Sequence, residues 1–283
     1  MTFLRDTELA WCPGCGNFAI RLALAETLEE LNLEPNNTLM ITGIGQAAKM
    51  PHYLNINFFN GLHGRGLPVA FAAKAVNPDL TVIAESGDGD IYGEGGNHLV
   101  HAIRRNFDVT ILVHNNQIYG LTKGQGSPTT EMGHKTSSQV YGVINEPLNP
   151  LALALSLNTP FVARTWSGAK DHFKRVVSEA IKFKGLALVD VMHPCVSFNK
   201  VNTFAWYKER LYDVSEDDSS YDVTDKVKAF EKSLEFGEKI PMGIIYKKER
   251  ETYHELHHVL KKGTKLIDLK ETPDVTDELE KMG

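Results

Sequence analysis

The chain has 283 residues, with 30 Lys and Arg against 36 Asp and Glu for a formal charge of −6. That length suits one substantial α/β core with a small appendage, and the acidic balance excludes a nucleic-acid or anionic-membrane surface, either of which needs a basic face. No apolar run approaches the ~18 residues of a spanning helix, Met1-Thr2-Phe3-Leu4-Arg5-Asp6-Thr7-Glu8 carries no apolar signal region, and three cysteines are too few for a disulfide framework, so we expect a cytoplasmic protein that uses cysteine for metal or redox chemistry.

In chain order, Trp11-Cys12-Pro13-Gly14-Cys15-Gly16-Asn17 places two thiolates three positions apart in a Pro/Gly turn. Such a pair can bind one metal or one edge of a cluster, act as a redox dithiol or form half a zinc site. A helix is expected over 17–33, capped by Asn17, because Ile20, Leu24, Leu28 and Leu31 recur at near-helical spacing. Leu39 to Thr42 is a short buried strand ending in Gly43-Ile44-Gly45, and 68–76 is a small-residue helix. Further strands are expected at 80–84, 109–113, 161–165 and 186–191, with helices at 94–106, 149–157 and 169–184 between them. This alternation predicts a doubly wound α/β fold with a mostly parallel sheet. The stretch 121–148 is too long for a plain connection and is expected to be a functional loop. A third cysteine follows the last strand, in His193-Pro194-Cys195. After Asn199 the pattern becomes polar, with a break at Asp217-Asp218-Ser219-Ser220 and an amphipathic helix over 223–236. We therefore divide the chain into a domain over 1–199 and an extension over 200–283 that contacts a partner subunit.

Two of the strand-end loops carry the chemistry. Gly87-Asp88-Gly89-Asp90 follows the strand at 80–84, and Asn115-Asn116-Gln117-Ile118-Tyr119-Gly120 follows the strand at 109–113. Doubly wound sheets bind ligands at the carboxyl ends of their strands. Magnesium takes an octahedron of oxygens, with one or two carboxylates and the rest from amides, carbonyls, water and phosphates. Asp88, the Asn116 side chain and the Ile118 carbonyl would supply three of these, while Gly87 and Gly89 let phosphates approach the backbone. Either loop alone is ordinary turn chemistry; the pair resembles the signature of thiamine diphosphate enzymes.

The segments WCPGCGNF, TGIGQAAKMPHY, LHGR, GDGD, HNNQIYGLTKGQGSPT, HPCVSFN and IPMGIIY together make the chain resemble the β subunit of a 2-oxoacid:ferredoxin oxidoreductase, from Trp11 to about Tyr246. The resemblance implies a thiamine diphosphate-binding fold of the diphosphate (PP) type, Mg2+, an iron–sulfur cluster (4Fe-4S or 3Fe-4S), coenzyme A as co-substrate, ferredoxin as acceptor, and an α subunit in an (αβ)2 assembly. Cys12, Cys15 and Cys195 match three cluster cysteines by position, and Gln46 stands where the family has the fourth. Around the cofactor it implies Gly43, Ile44, Gly45, His63, Asp90, Gly120 and Leu121. His63 and Arg65 would neutralise diphosphate or carboxylate charge, and Lys49 and Lys123 would attract a carboxylate or coenzyme A phosphates. A second carboxylate met by those lysines favours 2-oxoglutarate over pyruvate. Two other readings fit some of these features: half of a non-oxidative decarboxylase using the same cofactor, or a non-catalytic electron-transfer subunit.

Overall fold

A computed structural model of the protein describes residues 2–263, 265–268 and 276–282. The end of the expected extension, at 269–275 and 283, therefore lies outside the described residues. Eight strands form one sheet: β1 (Thr38–Thr42), β2 (Asn57–Asn60), β3 (Thr81–Gly87), β4 (Thr110–Asn115), β5 (Phe161–Trp166), β6 (Ala187–Met192), β7 (Leu211–Asp213) and β8 (Ile240–Lys247). Their order is β2-β1-β3-β4-β6-β5-β8-β7. The first six of that order are mutually parallel, β8 runs antiparallel to β5, and β7 is parallel to β8.

Alternate residues of the central strands feed two separate cores, as the two-residue period of a strand requires. Ile41, Val82, Ala84, Ile111, Val113 and Leu188 pack with α2 (Gly66–Val76), α3 (Gly96–Arg105) and α4 (Pro150–Ser156). Met40, Ile83, Leu112, Ala163 and Val189 pack with α1 (Gly16–Glu30) and α5 (Lys170–Lys182). Because both faces are covered, β4, β5 and β6 are buried along their whole length, which is why they read as mainly apolar runs with buried polar residues such as His114, Arg164 and Asp190 among them.

Three expectations are corrected in detail. Asn17 does not cap α1. It lies in the first turn, fully buried, and its Oδ1 accepts a hydrogen bond from His114 Nδ1 at 2.8 Å. The helix expected over 94–106 starts at Gly96, because a π-helical turn occupies Gly89–Glu94. Edge strand β2 is an addition to the expected set: its four residues are all exposed, so it has no alternation to read.

After Asn199 come α6 (Phe204–Arg210), β7, α7 (Val214–Asp217), α8 (Lys226–Ser233) and β8, so this part of the chain extends the main sheet by two strands. Asp213 of β7 ties it to α5, meeting His172 Nε2 at 3.0 Å and the Arg175 guanidinium, and it caps α7 by accepting from the Ser215 amide at 2.8 Å. Burial alone would push the Asp213 carboxyl up, but the hydrogen bonds from His172, Ser215 and Arg175 outweigh it and hold the carboxyl well below the usual carboxylate range. A depressed folded-state pKa adds stability above the ordinary Asp value, and that stability drains away as pH falls through the folded value. Asp213→Asn should therefore cost about 2 kcal/mol at neutral pH, with the gap from wild type narrowing below pH ~4. Urea midpoints measured from pH 7 downward would show it.

Candidate active site

β3 and β4 are neighbours in register, Gly87 opposite His114, so the loops that leave their carboxyl ends emerge side by side. Between them and the end of β1 lies a cleft of about 550 Å³, counting the open space at its mouth. Ile44, Gly45, His63, Gly87, Asp88, Gly89, Asp90, Asn116, Ile118, Gly120 and Leu121 all line it, so most of the expected cofactor residues converge.

Asp88 is 2% exposed, and its Oδ2 accepts from Ser127 Oγ at 2.5 Å and Thr129 Oγ1 at 2.7 Å. Burial pushes its carboxyl up to about 6, against the pull of those hydroxyls and the Gly89 amide. A carboxylate sunk this deep is costly without a cation to balance it. Asn116 supplies the matching neutral oxygen. Its Oδ1 accepts from the Ile118 amide at 3.0 Å across a tight turn in which Gln117 is left-handed, φ 58°. One carboxylate, one amide oxygen and a carbonyl on a single cleft form the donor set that suits magnesium bound together with a diphosphate.

Asp90 has a different task. Its Oδ1 accepts from the Ile44 amide at 2.9 Å and the Gly64 amide at 2.8 Å, strapping three loops together. Gly43 lies behind the cleft wall, where a Cβ would come within 2.1 Å of the Asp90 carboxylate. Gly43→Ala should displace that strap, costing about 2 kcal/mol of stability by overpacking and weakening cofactor binding, which thermal melts with and without cofactor would detect. A Cβ on Gly89 would meet the Tyr119 ring at 2.1 Å, so this glycine makes room for an aromatic side chain as well as for a ligand.

The cations are placed differently from expectation. Of the four, His63 lines the cleft, its Nε2 3.6 Å from Asp90 Oδ1 and 3.4 Å from Glu94 Oε2. Arg65 lies against His98 of α3 at 3.1 Å and is not part of the lining. Lys49 donates to the Ala10 carbonyl at 3.1 Å, and Lys123 sits exposed on a left-handed backbone, φ 83°; neither lines the cleft. These two lysines therefore give no support to 2-oxoglutarate over pyruvate.

Sequence reasoning missed several polar groups here. Ser127 and Thr129 come from the long loop, and nothing in their spacing ties them to Asp88. His114 is fully buried on the cleft wall, with Nδ1 at 2.8 Å from Asn17 Oδ1 and Nε2 at 2.7 Å from Glu85 Oε1. The His193 ring stands edge-on to it at 5.6 Å. Burial and the neighbouring His114 push His193 down to about 3, so it is a neutral imidazole at physiological pH. A histidine inside an apolar strand gives no signal of such a role.

Cys12, Cys15 and Cys195 converge from distant parts of the sequence on a second, smaller cavity. It adjoins the cleft, and Gln46, Asn116 and Gly120 line both. Burial pushes the Cys15 thiol up to about 11, so a metal is needed to hold it as thiolate. Among the described residues, no three His, Cys, Asp or Glu side chains gather closely enough to hold a single ion. Three cysteine side chains around one cavity offer the soft sulfur donors that transition metals and metal clusters take.

Comparison with known proteins agrees with this geometry. Residues 37–191 match the thiamine pyrophosphate enzyme C-terminal TPP-binding domain, and residues 195–262 match the C-terminal part of the pyruvate ferredoxin oxidoreductase β subunit. The β subunit of 2-oxoacid:ferredoxin oxidoreductase 1 of Aeropyrum pernix is 44% identical over 254 residues, covering 87% of this chain and 80% of the relative. The KorB subunit of a 2-oxoglutarate oxidoreductase of Mycobacterium tuberculosis is 42% identical over 73% of this chain and 56% of its own length. A solved 2-oxoglutarate:ferredoxin oxidoreductase from Magnetococcus marinus, with 2-oxoglutarate, coenzyme A and succinyl-CoA bound, superposes with a TM-score of 0.90 at 30% identity, covering 99% of this chain and 94% of that one. Among the described residues no helix is long and apolar enough to cross a membrane. With the strand-end cleft, the three converging cysteines and relatives of this similarity, the chain belongs to the β subunits of the 2-oxoacid:ferredoxin oxidoreductases.

Proposed function

We propose that this subunit takes part in the oxidative decarboxylation of a 2-oxoacid, 2-oxoglutarate in preference to pyruvate, to carbon dioxide and the acyl-CoA, with two electrons passed to ferredoxin. The observation that carries this reading is the shared wall: the magnesium-type donor set and the three-cysteine cavity are neighbours, separated by Gln46, Asn116 and Gly120. Bound thiamine diphosphate supplies the electron sink for loss of carbon dioxide, and an adjacent cluster supplies a one-electron acceptor. In this reading Asp88, the Asn116 side-chain oxygen and the Ile118 carbonyl hold the magnesium ion and so position the diphosphate. Ser127 and Thr129 aim Asp88 in turn, as outer hydrogen-bond partners of metal ligands do. Gly45, Gly87, Gly89 and Gly120 leave backbone open to the cofactor, while Ile44 and Leu121 offer it apolar contact. His63 presents a ring nitrogen to an anionic group in the cleft. Cys12, Cys15 and Cys195 hold the cluster.

The 2-oxoglutarate preference rests on the names of the KorB relatives and of the solved neighbour. An α subunit would complete the cofactor site in an (αβ)2 assembly, with the chain after Asn199 at the contact. The test is anaerobic assay of the co-expressed complex with Mg2+, thiamine diphosphate, coenzyme A and ferredoxin against a panel of 2-oxoacids. Ferredoxin reduction that requires both coenzyme A and 2-oxoglutarate is expected. Carbon dioxide release with no reduced acceptor would overturn the reading, and faster turnover of pyruvate would overturn the substrate preference.

A further inference from the structure

Gln46 stands on the wall between the two cavities, lining the cofactor cleft on one side and the three-cysteine cavity on the other. Its side-chain Oε1 is buried and has no hydrogen-bond partner. Its backbone is fixed on both sides: the carbonyl accepts from Trp11 Nε1–H at 2.8 Å, just before Cys12, and the residue heads the 3₁₀ turn Ala47–Tyr53. Leaving a buried acceptor unsatisfied is costly, so an orphaned amide oxygen on a residue that lines the three-cysteine cavity points to a cation as its partner. A cubane cluster has four irons, each needing one ligand from outside the cluster, and the three thiolates account for three of them.

Resting on the cluster reading given above, we propose that the Gln46 side-chain oxygen occupies the fourth corner, so that one iron of the cluster, the one beside the cofactor cleft, is weakly held and exchangeable. Iron in these sites favours soft thiolate ligands, and a neutral amide oxygen is a poor substitute. The unique iron should therefore leave first. Under mild oxidation a four-iron cluster gives up one ferrous ion and one electron, the electron reducing one ferricyanide, and a three-iron cluster remains.

The experiment uses the anaerobically purified complex of this chain with its α subunit, with iron and acid-labile sulfide counted against a Cys12→Ser complex so that any clusters in the partner cancel. Ferricyanide is then added in small excess while released ferrous ion is trapped with a chelator and electron paramagnetic resonance is recorded. The wild-type complex should release one iron per chain as a three-iron signal grows, Gln46→Cys should slow that release at least tenfold, and Gln46→Ala should release iron at least as fast as wild type. If wild type keeps all its iron and Gln46→Cys behaves identically, the fourth-corner assignment is overturned while the cluster stands. If wild type and Cys12→Ser complexes contain equal iron and sulfide, the cluster reading itself falls. Should Gln46→Cys fail to assemble, iron retained by both wild type and Gln46→Ala would still overturn the assignment.

Discussion

Asp88→Asn should abolish turnover by the assembled enzyme while leaving its fold and subunit assembly intact. The substitution keeps the side chain's shape and one oxygen acceptor for Ser127 and Thr129, but removes the only negative charge in the Asp88, Asn116 and Ile118 donor set. Losing an outer hydrogen-bond partner of a metal ligand typically costs 10–100-fold in affinity or activity, so losing the ligand's charge should weaken magnesium-dependent cofactor binding by more than about 100-fold. Asn116→Ala removes a neutral ligand and also the acceptor that closes the turn onto the Ile118 amide, so it should fall in the same range. Because a buried carboxylate is replaced by a neutral amide, the cofactor-free Asp88→Asn protein should be at least as stable as wild type near neutral pH. Calorimetric titration with magnesium and thiamine diphosphate, beside thermal melts of the free proteins, separates the two effects. Unchanged cofactor affinity in either variant would remove the metal assignment.

The second large effect concerns assembly. The isolated chain should show no decarboxylation of any 2-oxoacid, and activity should appear on adding the α subunit. The described residues form a single sheet with one cleft at the ends of β3 and β4, and that cleft offers donors for a diphosphate and its cation. As a β subunit the chain belongs to an enzyme of more than one kind of chain. Titrating α into a fixed amount of this chain should raise the rate until the two are equimolar. Turnover by the purified single chain would contradict the prediction.

The parts of this molecule that can be read from the sequence are those whose signal is local. Central strands buried on both faces are short, mainly apolar, β-branched-rich runs, so β1, β3, β4, β5 and β6 are recognisable, as is their order of alternation with helices. The loops at Asp88 and Asn116 are recognisable because glycine and asparagine mark turns and because they follow such strands. The two edges of the sheet are not. β2 is four exposed residues, β7 is three residues long, and β8 is interrupted by Pro241 and Gly243, which weaken a strand pattern. The polar layer beneath the cleft is hidden for a related reason. Ser127 and Thr129 reach Asp88, and Glu85 and Asn17 reach His114, only once distant segments are brought together. The lysines at 49 and 123 illustrate the converse: each follows a segment that does line the cleft, Gly45-Gln46-Ala47 and Gly120-Leu121-Thr122, yet neither lines it itself.

The strap made by Asp90 has a consequence for how the cofactor arrives. By accepting the Ile44 and Gly64 amides, one carboxylate fixes the loop after β1, the loop before α2 and its own turn relative to one another with no ligand required. The loss of loop freedom is then part of the folding free energy, and association proceeds onto a preformed surface instead of waiting for segments to order. Capture should therefore be fast and nearly independent of the residues that hold the cation, so that variants at those positions differ mainly in how long the cofactor stays.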